Sequence, residues 1–102
     1  MNINNLHDID DTMLSKELIH KLEPYVHTQL IKDNIKQVTI EKGKSKTFVG
    51  NFYGLLKNEL FIDSKYWYLN MRINGFKSSL DYNGETVINI VNSEILDLII
   101  KK

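Results

Sequence analysis

The chain has 102 residues, no cysteine and a formal net charge of zero, with 42% hydrophobic and 25% charged residues. These values fit one ordinary globular domain, and they exclude disulfides, thiolate catalysis and Cys-based zinc sites. Alanine is absent and the only arginine, Arg72, stands among many lysines; the skew follows AT-rich codons, as in a low-GC bacterium, its phages or its mobile elements, and it equips the chain poorly for bidentate readout of guanine.

The opening "MNINNLHDIDD" has neither the basic nor the apolar region of a signal peptide. The longest apolar run, "ILDLII", is too short to span a bilayer. Both point to a cytoplasmic chain with no membrane partner. Residues 1–9 read as a flexible N-terminus and residues 10–34 as helical. Asp10 or Asp11 can cap the first helix, and Leu14, Leu18 and Leu22 recur every four residues beside Met13 and Ile19. Pro24 suits the first turn of a second helix, with Tyr25, Val26, Leu30 and Ile31 inward. A single kinked helix is the alternative. Lys32 to Asn34 reads as the end.

From Ile35 the period shifts to two, so residues 35–102 read as mainly β. "KQVTIEKGK" sets Val38 and Ile40 on one face and turns at Gly43. "KTFVGNFYGLL", "LFID", "KYWYLNMRI" and "ETVINIV" follow as short strands, with Asn74-Gly75 and Asn83-Gly84 as tight hairpin turns carrying positive φ at the glycines. The end, "NSEILDLIIKK", is either a helix opened by Ser93 or a last strand. The expected fold is a single α+β domain: two N-terminal helices, then an antiparallel meander of five or six strands. The rhythm of "VTIEKGKSKTFVGNFYGLLKNELFID" with "TVINIVNSEILDLI" resembles that of SH3-like or Sm-like small barrels, which implies a curled sheet. The residue signatures with which Sm-like proteins hold RNA bases are absent, and no family is assigned. An open sheet with helices on one face is the other arrangement.

Charge is uneven along the chain. Residues 42–77 hold Lys42, Lys44, Lys46, Lys57, Lys65, Arg72 and Lys77 against Glu59 and Asp63. Within that block lies "SKYWYLNMRING". Read as a strand, it turns Trp67, Leu69, Met71 and Ile73 to the core, and Tyr66, Tyr68 and Arg72 to the other face. Tyr66, Tyr68 and Arg72, with Lys65 beside them, then form a binding surface, to which Phe52 and Tyr53 belong if they are exposed. Tyr and Arg suit interface hot spots and base stacking alike. The same face can instead be covered by the N-terminal helices. Lys42, Lys44, Lys46, Lys57 and Lys77 are candidate anion-binding residues, or simply solubilising ones.

Catalytic motifs are missing. His7, Asp8, Asp10 and Asp11 lie together at the terminus, where capping and solvation suit them better than metal binding. His20 and His27 fall in no HExxH pattern, and no phosphate loop or nucleophile elbow occurs. The expected function is that of a non-enzymatic regulator, inhibitor or adaptor without cofactor or metal, binding a protein partner or its own copies. A nucleic-acid-binding small barrel is the alternative.

Overall fold

The computed structural model describes residues 16–101. Residues 16–22 are helical (α1) and run into a single 3₁₀ turn, Glu23–Tyr25, with Pro24 in its first positions. A short helix α2 (Gln29–Lys32) and strand β1 (Ile35–Thr39) follow, then α3 (Lys42–Thr47), α4 (Phe52–Asn58), a 3₁₀ turn (Ser64–Tyr66), α5 (Trp67–Ile73), another 3₁₀ turn (Ser79–Asp81), β2 (Val87–Val91) and α6 (Ser93–Ile100). The expected caps at Asp10 and Asp11, the leucine at 14 and the His7 to Asp11 cluster lie outside the described residues.

The meander of five or six strands is not formed. The described residues contain one antiparallel pair, β1 with β2, in the register Ile35↔Val91, Gln37↔Asn89, Thr39↔Val87, and it does not close into a barrel. Two segments read as strands are helices. In α4, Phe52, Leu55 and Leu56 are all fully buried at helical spacing, and the Asn51 side chain caps the helix by accepting from the Gly54 N–H at 3.0 Å. In α5, Leu69 and Met71 are both buried but belong to different cores. Residues two apart on a helix lie on nearly opposite sides. An α-helix wedged between two cores therefore shows the alternation of a half-buried strand.

Asn74-Gly75 is accordingly a helix end and not a hairpin. The Phe76 N–H donates to the Met71 carbonyl and the Gly75 N–H to the Arg72 carbonyl, with Gly75 at φ 84°. This is the Schellman closure, and Phe76 packs in the same cluster as Met71. Gly84 also has positive φ, 93°, in the turn where Asn83 Oδ1 accepts the Glu85 N–H. The chain's end is helix α6, capped by the Asn92 side chain and burying Leu96 and Ile99.

One core joins α4, Phe76, Tyr82 and the sheet residues Ile88 and Ile90. The other joins α1, α2, α6, Leu69 and Val91. No helix among the described residues is long and apolar enough to cross a membrane.

Candidate functional site

The aromatic and basic residues singled out from the sequence do not form one face. Phe52 is 0% exposed, with Phe76 and Tyr82 rings 5.1 and 5.3 Å away; as the first inward residue of α4 it is core, which removes it from the expected binding surface. Tyr53 is half-buried and stacks on Trp67 at 5.2 Å. Burial raises its phenol pKa. Trp67 itself, expected in the core, is half-buried and donates Nε1–H to the Ile62 carbonyl at 2.7 Å.

Arg72 forks onto Glu23, Nε to Oε1 at 3.1 Å and an NH2 nitrogen to Oε2 at 3.0 Å. The Tyr68 hydroxyl donates to the same carboxylate. Arg72 first, and Tyr68 after it, lower the Glu23 pKa to about 2. The Tyr68 phenol is raised, by burial and then by the bond to Glu23. Tyr66 donates its hydroxyl to Asp97 Oδ1 at 2.6 Å, which raises its pKa, and Lys65 lies over its ring at 5.1 Å. The polar ends of Tyr66, Tyr68 and Arg72 are thus engaged with the N-terminal 3₁₀ turn and with α6. Lys42, Lys44, Lys46, Lys57 and Lys77 are all exposed. Lys44 pairs with Glu59 at 3.4 Å.

A concavity lies beside them, lined by Tyr66 but by none of the other aromatic and basic residues singled out from the sequence. A cleft of about 780 Å³ runs between the first half of β1, the loop after α4 and the junction of β2 with α6. Ile35, Val38, Leu60, Phe61 and Ile90 supply apolar lining, while Asp33, Lys36 and Asp63 bring charge to it. Phe61 is 86% exposed and holds φ 56°, an outlier for a bulky L-residue. Its neighbours explain the geometry. Ile62 is held at both backbone groups, its N–H donating to the Leu56 carbonyl at 2.9 Å and its carbonyl accepting from Trp67. Leu60 and Ile62 both pack against the first core, so the residue between them turns out to solvent. Such strain persists only where the surroundings fix it. The sequence signal for Phe61 was the apolar triplet Leu60–Ile62, in which neither helical nor strand period can bury all three; nothing singled out the middle residue.

Beside this cleft, no other strand among the described residues pairs with the outer edge of β1. Lys36, Gln37 and Thr39 are exposed. The opposite edge of the sheet is closed by α5. Asn74 pairs with both backbone groups of Asn89, and Asn70 Oδ1 accepts the Val91 N–H at 2.8 Å. Among the described residues no group of three or more His, Cys, Asp or Glu side chains could hold a metal ion. Compared with known proteins, the chain matches no family model, no curated protein and no solved structure.

Proposed function

We propose that the chain is a small protein-interaction module whose cleft beside β1 receives an extended apolar segment of a partner, with Phe61 as the anchor. The observation that carries this reading is Phe61: a large apolar ring, 86% exposed, kept in a left-handed backbone conformation against a cleft whose lining mixes apolar side chains such as Ile35, Val38 and Ile90 with polar ones. Burying a phenylalanine contributes about 1.5–3 kcal/mol, enough to make one residue an interface anchor. Asp33, Lys36 and Asp63 beside it supply the polar rim such sites carry.

The nucleic-acid alternative has less support. It needs a barrel, which the described residues do not form, and a free Tyr–Arg face, whose polar groups are engaged with Glu23 and Asp97. The test is selection of binders from a random-peptide library against the whole chain, followed by affinity measurement on the parent and Phe61→Ala. Extended apolar peptides that lose more than tenfold, about 1.4 kcal/mol, on Phe61→Ala support the reading. Peptides that bind both equally, or salt-sensitive binding of single-stranded nucleic acid with no selectable peptide, overturn it.

A further inference from the structure

We infer that β1 is a self-pairing edge, at which two copies of this chain join their sheets antiparallel about a two-fold axis through Gln37. In an antiparallel pair, alternate residues direct both backbone groups toward the neighbour strand or away from it. Asn89 directs both of its groups to the Asn74 side chain, so it points away from β1. Its register partner Gln37 then points away from β2, and Ile35 and Thr39 follow at the same parity. Among the described residues no hydrogen bond reaches the backbone of these three. Exposed Lys36, Gln37 and Thr39 leave the edge open.

The sequence of this edge fits a second copy. With the axis at Gln37, Ile35 meets the partner's Thr39, Lys36 meets the partner's Val38, and roughly six backbone hydrogen bonds form. Nothing of like charge stands opposite. Moving the axis to Lys36 would set two lysines face to face, which is unfavourable. The other end of the sheet is blocked by Asn70 and Asn74, so growth stops at two chains and cannot run on into a fibre. A formal net charge of zero leaves no long-range repulsion between copies.

This inference rests on the strand edge and not on Phe61, so it stands or falls apart from the proposed cleft. Sedimentation of the full chain over a concentration series should show a monomer–dimer equilibrium. Gln37→Pro removes an N–H that β2 does not use, and should weaken the dimer more than tenfold with the circular dichroism unchanged. The chain has no cysteine of its own, so single cysteines test the register. Gln37→Cys should cross-link on oxidation, since paired residues lie about 5.5 Å apart, within disulfide reach. Thr39→Cys should not, because the two sites would be separated by roughly 13 Å along the strands. A chain that stays monomeric to millimolar concentration overturns the inference. So does a dimer that cross-links through Thr39→Cys but not Gln37→Cys, or one untouched by a folded Gln37→Pro. If Gln37→Pro does not fold, the cysteine pair decides alone.

Discussion

The side chain of Asn74 stands in for a missing β-strand against Asn89. Its Oδ1 accepts the Asn89 N–H at 2.8 Å and its Nδ2 donates to the Asn89 carbonyl at 2.8 Å, the two bonds a neighbouring strand would make. One turn earlier on α5, Asn70, 1% exposed, does the same for the Val91 N–H. Two asparagines at i and i+4 lie on one helix face, and here that face docks along the edge of β2. This is how a two-stranded sheet, marginal by itself, is completed.

Removing the clamp should cost stability. Asn74→Ala leaves both Asn89 groups without their protein partner and should destabilise by about 1–3 kcal/mol in urea denaturation. Asn74→Asp should recover little, because it keeps the acceptor for the N–H but turns a carboxylate toward the carbonyls of Asn70 and Asn89, which Nδ2 now serves. An Asn74→Ala chain with an unchanged denaturation midpoint would show that water replaces the clamp at no cost.

Acid should weaken the junction of α5 with the N-terminal turn. Glu23 has its pKa lowered from 4.5 to about 2, chiefly by Arg72. A depressed carboxyl contributes stability that is fully present above its unfolded value and is lost as pH falls from 4.5 toward 2. The Glu23 side chain is 41% exposed, so solvent screening reduces the contribution to about 1 kcal/mol. Glu23→Gln should cost that much at neutral pH and flatten the acid limb of the stability profile. Tyr66 and Tyr68 act with the opposite sign. Their raised phenols contribute stability present below their ordinary value of 10 and lost as pH rises beyond it.

Phe61 should separate backbone strain from side-chain packing. Its φ of 56° costs an L-residue roughly 1–2 kcal/mol, and its ring packs on little of its own chain. Phe61→Gly removes the strain but adds backbone freedom to the unfolded chain, costing about 0.5–1 kcal/mol. The net should be neutral to mildly stabilising. Phe61→Val, branched at Cβ, should destabilise by about 1 kcal/mol. Thermal melts of the two decide, and destabilisation by glycine larger than by valine would place the ring in the core.

Gly75 and Gly84 should differ when replaced by alanine. Both have positive φ, so each change costs about 1–2 kcal/mol in backbone strain. At Gly75 a new Cβ meets nothing within 4 Å, whereas at Gly84 it comes 3.1 Å from Val49 Cγ2. Gly84→Ala is therefore expected to be the more destabilising, read from denaturation midpoints measured side by side. Equal losses would mean that Val49, itself exposed, moves aside freely.

Local chemistry carried some of these features without help. Val38 with Ile40, and Ile88 with Ile90, alternate over short stretches; β1 ends one residue before Ile40 and β2 spans Ile88 and Ile90. Pro24 falls in a 3₁₀ turn that continues α1 and does not begin the second helix. Asn-Gly pairs demand positive φ, and both glycines have it, although the turns they make are a helix end and a loop. What the chain could not reveal alone is which core each apolar residue joins. Leu69 and Met71 read as neighbours on one strand face, but α5 sends them to two cores on opposite sides. The same docking gives Asn70 its buried partner and spends Tyr68 and Arg72 on Glu23, 45 and 49 residues away in sequence. It also leaves Phe61 outside, between two neighbours pinned to the first core. Period two is read from one chain segment, whereas burial on two sides depends on what packs against it, and that is decided only when the distant segments meet.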